Sequence, residues 1–260
     1  MHGTLRDMHH SQAVGIHTNC SINMKKLNFT FFFFWSIVFL LITIIGFTPT
    51  FLLRPLYRET SLPLYLILHG VIMLFWFSGY FIQNLLIVKG QLANHKKIGI
   101  YWFMLAILMA VGNLNVVLNI SNEIMTGTPA YFGEIRTIEN SGGFVIGNLY
   151  FTLVSSFLIL LAYIKRNAPN AHKRAIFGAS FLLLTPAFDR FIRPFGLPEI
   201  FQYVGSFIIP ISLLGYEILK YRKVHPMTFL VMAITFLMIP IIMAIVTNDF
   251  LINAIIKFLG

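Results

Sequence analysis

Apolar runs of membrane-crossing length alternate with short polar junctions along this chain. The runs fall at residues 29–52, 62–88, 98–120, 143–164, 173–192, 198–219 and 226–247. Each is close to the roughly 20 residues a helix needs to cross the hydrocarbon core. The period-two alternation of a membrane barrel is absent, and lipid offers open backbone groups no partner, so the runs are predicted to be helices. The expected architecture is all-α: a polytopic membrane protein built as a bundle of about seven transmembrane helices over residues 24–248. Residues 1–23 are polar and aperiodic and read as a disordered tail, either an extension or an upstream start. Residues 249–260, with Asp249 and Lys257 among Leu251, Ile252, Ile255, Ile256 and Phe258, read as a short interfacial segment. The first run follows Met24-Lys25-Lys26 and ends at Gly46-Phe47-Thr48-Pro49-Thr50 without an A-x-A-like site. It is therefore expected to be a retained span and not a cleaved signal peptide.

Composition supports this reading. Hydrophobic residues make up 57% of the chain and charged residues 11%, against about 25% charged in soluble domains. No stretch is long enough for a soluble catalytic domain, so chemistry belongs in the bilayer or at its edge. The net charge of +10 does not imply nucleic acid, because no basic, aromatic-interleaved soluble segment carries it. The basic residues instead divide by side. With the N-terminus on one side, that side holds Lys25, Lys26, Lys89, Lys96, Lys97, Lys165, Arg166, Lys173, Arg174, Lys220, Arg222 and Lys223, with Glu217 the only acid beyond the tail. The opposite side balances Arg54, Arg58, Arg136, Arg190, Arg193 and Lys257 against Glu59, Glu123, Glu134, Glu139, Asp189, Glu199 and Asp249. The positive-inside rule then predicts an inner (plasma) membrane protein with a cytoplasmic N-terminus. Its partners are expected to be the bilayer and anionic lipid headgroups at the cytoplasmic face. The longest loop, 121–142, reads as an ordered cap or lid on the outer side.

Three junctions repeat one theme: a histidine beside lysine or arginine, just before an apolar run. They are Asn94-His95-Lys96-Lys97-Ile98-Gly99, Ala171-His172-Lys173-Arg174-Ala175-Ile176 and Lys223-Val224-His225-Pro226. Three imidazoles at one depth are candidate ligands for zinc, copper or iron, with Glu217 as a fourth. The adjacent cations oppose a divalent ion but suit lipid headgroups or a heme propionate. The plain alternative is that these histidines are interface residues and helix caps. His69 stands inside the second run and shares a helix face with Trp76 and Gln83, seven residues apart in turn. Such a polar stripe faces the bundle interior. His69 reads as a heme ligand, a quinone hydrogen-bond donor or a proton carrier, or else as a structural partner of Asn113, Asn115 or Asn119.

Asp189, Arg190 and Arg193, with Arg54, Tyr57, Arg58 and Glu59, form an outer belt. With His69 they could line a polar pocket, or act as orientation and cap residues. Cys20, the single cysteine, excludes an intrachain disulfide and a thiolate metal cluster. His2, His9, His10 and His17 in the tail lack the spacing of a known metal site. No Ser/His/Asp set, P-loop, H-E-x-x-H or paired carboxylates within a span support a hydrolase or ATPase.

Leu53-Arg54-Pro55-Leu56-Tyr57, Leu68-His69-Gly70, Trp76, Gln83, Gly90, His95-Lys96-Lys97-Ile98-Gly99, His172-Lys173-Arg174 and Val224-His225-Pro226 resemble the pattern of a family of bacterial multi-span membrane proteins with no assigned activity. The resemblance covers about residues 45–230. More distantly, the histidine placement is similar to the transmembrane diheme cytochrome b fold. That similarity implies heme b, with His95 and His172 as axial ligands and His69 as a further ligand. The run at 143–164 has no histidine, so His69 lacks the partner that fold would supply. The functional expectation is a heme- or quinone-linked redox membrane protein. The competing expectation is a carrier or an assembly or stress factor without a cofactor.

Overall fold

A computed structural model describes residues 30–57, 59–128, 135–192, 196, 198 and 200–260, without the side chains of residues 200, 202, 203 and 206. The N-terminal tail expectations, including Cys20 and the tail histidines, lie outside the described residues, as do Arg58, Arg193, Glu134 and Glu199. The architecture is all-helical: α1 (Phe31–Phe47), α2 (Arg54–Tyr57), α3 (Leu64–Val88), α4 (Leu92–Thr126), α5 (Ile138–Ile164), α6 (Pro169–Ile192), α7 (Ile200–Tyr221), α8 (Pro226–Val246) and α9 (Asp249–Leu259). Among the described residues, six helices are long and apolar enough to cross a membrane: α1 with the turn that follows it, α3, α4, α5, α6 and α8. The run expected at 198–219 is the 22-residue helix α7, about 33 Å long at 1.5 Å per residue.

Apolar runs mark the lipid-facing stretch, not the helix. α4 begins at Leu92 and ends at Thr126, so its 35 residues overshoot both ends of the expected 98–120. The polar first turn stays helical because a helix runs on until its backbone is capped, whatever the polarity of its side chains. His95 and His172 therefore sit inside helix first turns and not in loops. α4 stops at Gly127, whose φ of 64° suits a glycine beyond a helix end. α5 begins at Ile138 behind a reciprocal cap in which Thr137 and Asn140 each bond the other's backbone N–H. The first expected span changes form at its outer end. Pro49 removes a donor, and residues Thr48–Leu52 widen into a π turn closed by Leu53 N–H to Thr48 O at 2.8 Å.

α6 is the axis of the bundle and packs against α1, α5, α7 and α8, while α4 bridges α3 and α5. Phe39 of α1, Phe77 of α3, Phe177, Leu182 and Leu184 of α6 and Leu213 of α7 are fully buried in one core. Lipid is as apolar as these side chains, so close packing has to supply much of the association. Glycine allows it. A Cβ at Gly46 would stand 2.5 Å from the Ala187 carbonyl oxygen, so α1 and α6 meet backbone to backbone. The interfacial segment forms α9, which buries Ile252 and Ile256 against α4, α5 and α8.

At the end of the bundle away from His95, Arg54 is buried and its guanidinium donates to Thr60 O and Thr60 Oγ1, both at 2.8 Å, and to Thr50 O at 3.3 Å. It ties Thr50 to Thr60. A second clamp joins Arg136 Nε to Glu123 Oε2 at 2.7 Å, with Tyr65 donating to Glu123 Oε1 at 3.3 Å. The described part of the 121–142 loop is thereby anchored to α3 and α4.

Gly46→Ala is expected to force α1 and α6 apart. It should destabilise the bundle by about 1–3 kcal/mol, the range for overpacking, read as a lowered unfolding midpoint by circular dichroism in detergent.

Candidate functional site at the basic end of the bundle

Two of the three junction histidines come together. His95 of α4 and His172 of α6 stand with ring centroids 6.3 Å apart and planes at 84°. Both are half-buried. They meet because α3, α4, α5 and α6 converge at this end of the bundle, each supplying one contact.

Hydrogen bonds to the rings assign their tautomers. His172 Nδ1 lies 2.9 Å from the Ala162 carbonyl oxygen. A carbonyl only accepts, so Nδ1 carries the proton and Nε2 presents its lone pair. Ala162 is in the last turn of α5, where carbonyls lack helical partners, so the imidazole also finishes that helix end. His95 is held by Gln83. Gln83 is assigned the amide orientation that satisfies its neighbours: its oxygen accepts from Trp102 Nε1 at 3.0 Å, and its nitrogen donates to His95 Nδ1 and to His95 O, the latter at 3.2 Å. In that orientation His95 Nδ1 accepts, and the neutral ring carries its proton on Nε2. One ring is a donor at Nε2 and the other an acceptor.

Gly79 makes this arrangement possible. The Trp102 ring lies against it, and a Cβ there would be 2.6 Å from the indole. Trp102 can thus cross α3 one turn below Gln83 and present its N–H. The expected His69, Trp76, Gln83 stripe does lie along α3, but its members have different surroundings. Gln83 serves His95, while the Trp76 Nε1 is buried without a hydrogen-bond partner. His69 makes no hydrogen bond among the described residues; Asn119 instead donates to Asn115 O at 2.8 Å within α4. Of the belt residues expected around His69, Arg190 is close enough to act on the charge of its ring and donates to Pro186 O at 2.7 Å, while Arg54 donates to Thr50 and Thr60.

His225 takes another role. It is the N-cap of α8: Nδ1 accepts from Met227 N–H at 3.0 Å, and its backbone N–H donates to Glu217 Oε2 at 2.7 Å. Burial first, and the Arg174 guanidinium second, hold its ring pKa below the ordinary value. Glu217 is fully buried on α7 and forms an ion pair with buried Arg174 of α6 through Arg174 Nε and Oε1. Thr228 of α8 donates to the same oxygen at 2.6 Å, and Arg174 Nη1 donates to Asn170 O at 2.6 Å. Gly178 lets α8 in, since a Cβ there would lie 2.6 Å from Val231. Charge counting treats Arg174 as an orientation signal and Glu217 as a metal ligand, and misses the pairing. The available signal was Glu217 itself, a lone acid on the basic side. Among the described residues no group of three or more His, Cys, Asp or Glu converges as a metal site.

Heme b was tested against the pair. His172 fits, with a bare Nε2 and its Nδ1–H on a carbonyl, the usual support of a ligating imidazole. His95 would ligate through Nε2 once its proton moves to Nδ1, which Gln83 meets by turning its amide oxygen toward the ring. Two cavities among the described residues are lined by Phe181, Leu184, Thr185, Phe188, Gly205 and Ile209, and by residues around Thr43, Phe51 and Gly70. Neither touches the pair. Ligation by both rings therefore requires Gln83 to turn. Comparison with protein-family models, with curated proteins and with solved structures finds no match for this chain.

Two outcomes follow. Glu217→Gln leaves Arg174 charged, buried and unpaired, which should cost about 3–5 kcal/mol, measured by denaturant unfolding in micelles. Because His225 is held neutral in the fold, its contribution to stability is full above its unfolded pKa near 6.5 and is lost as pH falls through the lower folded value. His225→Asn, which keeps a cap acceptor, should flatten that acid limb in unfolding curves recorded across pH.

Proposed function

We propose that this chain is an inner-membrane protein of seven crossings, α7 included, with a cytoplasmic N-terminus, and that it handles protons for a redox reaction of the quinone or heme class. The working group in this reading is the His95–His172 pair. The observation that carries it is the directed set of donors and acceptors: Trp102 to Gln83, Gln83 to His95, and His172 to Ala162. That set favours a protonated Nε2 on His95 and a bare Nε2 on His172. An imidazole pair of unlike tautomers can take a proton at one ring and release one from the other, with ring and amide reorientation restoring the start. Its half-buried place at the basic face supports exchange with cytoplasmic water. In this reading heme, where present, is a partner's group or is bound after Gln83 turns.

The competing reading is a cofactor-free helix-packing protein such as a carrier or an assembly factor. The same hydrogen bonds favour it in one respect, because each joins two helices.

The readings separate experimentally. Purified protein is reconstituted into vesicles containing a quinone pool and an internal pH dye, and the quinone is reduced from outside. Wild type should change internal pH severalfold faster than His95→Gln and His172→Gln, whose thermal midpoints should stay within a few degrees of wild type. Equal rates in all three would defeat the proton-handling reading. A Soret band with a sharpened alpha band on dithionite reduction, lost in both variants, would replace it with axial ligation.

A further inference from the structure

Next to the ion pair lies a cationic, aromatic-edged surface that the proton-handling reading does not use. Lys173 is half-buried in the first turn of α6, and its ammonium stands over the Phe32 ring at 5.3 Å. Among the described residues it makes no hydrogen bond or ion pair; the nearby carboxylate of Glu217 is already bonded by Arg174, Thr228 and the His225 N–H. Lys220, in the last turn of α7, faces the same space: its ammonium donates to Tyr216 OH at 3.2 Å and lies 5.3 and 5.5 Å from the Tyr216 and Tyr221 rings. Lys220 and Tyr221 are close enough to act on the charge of Lys173. The floor is aromatic, with Phe31 stacked on Tyr216 at 4.5 Å. One half-buried and one exposed ammonium group, beside two phenol hydroxyls and with the Glu217 carboxylate already engaged, call for an anion.

We propose that Lys173, Lys220 and the Tyr216 and Tyr221 hydroxyls bind the phosphate of an anionic phospholipid. Phosphate fits because it offers several acceptor oxygens to donors that approach from two helices. A lipid is favoured over free phosphate by what lies beneath. α7 turns an exposed apolar stripe toward the bilayer, with Ile208, Ile211, Ile218 and Leu219 uncovered, and acyl chains can lie along it. The aromatic rings sit where headgroup and hydrocarbon meet. The site is independent of the His95–His172 reading.

The test is native mass spectrometry of the full chain released from vesicles of equal parts phosphatidylglycerol and phosphatidylcholine. Wild type should retain phosphatidylglycerol in preference to phosphatidylcholine. Lys173→Gln with Lys220→Gln should lower that retention by roughly tenfold or more, given about one tenfold step or less per lysine near a lipid surface. Arginine at both positions should keep it. Lys89→Gln with Lys165→Gln, which removes the same charge from the same face, should leave it unchanged. Equal loss in that control, or equal retention of both lipids by wild type, would overturn the site. Displacement of the lipid by millimolar inorganic phosphate would reassign it to a soluble anion and overturn the lipid proposal.

Discussion

The basic end of the bundle depends on the buried pair of Arg174 and Glu217. Two charges out of water are stable only when each remaining donor and acceptor is met. Here Thr228, the Asn170 carbonyl and the His225 N–H complete the set. The consequence is geometric. Arg174 belongs to α6, Glu217 to α7, and Thr228 and His225 to the start of α8, so one network holds three helices in register. His172 is two residues from Arg174 on the same turn of α6. Its position against His95 therefore follows from the clamp as much as from its own bond to Ala162.

Between helices in lipid, apolar contact has little driving force of its own. This chain answers with glycines at the tight crossings and polar bonds at the ends. Gly46 brings α1 onto α6, Gly178 brings α8 onto α6, and Gly79 admits the Trp102 ring to α3. The last of these serves the site directly, because it carries the indole N–H to Gln83. The opposite end uses Arg54 and the Tyr65, Glu123 and Arg136 set for the same purpose. Polar bonds thus join the helices at both ends, while an aromatic and aliphatic core, with smaller apolar clusters beside it, fills the space between.

Much of this was readable from residue order. Apolar runs located the long helices, and the repeated His-Lys junctions singled out the two imidazoles that meet. The differences have physical causes. Run boundaries mark where lipid ends, whereas a helix continues until its backbone is capped, so α4 and α6 start earlier than their runs. His225 looked equivalent to His95 and His172, but Pro226 after it starts a helix whose first N–H groups need an acceptor, and the ring supplies one. Gln83 was read with His69 by spacing along α3. Its partners came from α4, and no pattern within one helix reports a neighbour across the bundle. The Arg174–Glu217 pair was hidden because counting charges by side treats each as solvent-exposed.

Proton handling at the His95–His172 pair depends on their unlike tautomers. The most direct measurement is the ¹⁵N spectrum of histidine-labelled protein in bilayers at neutral pH, assigned by single substitutions. It should show His95 protonated at Nε2 and bare at Nδ1, and His172 the reverse, with Gln83→Leu disturbing His95 and leaving His172 alone. The same tautomer on both rings, or a signature of metal ligation at both Nε2 atoms, would contradict it.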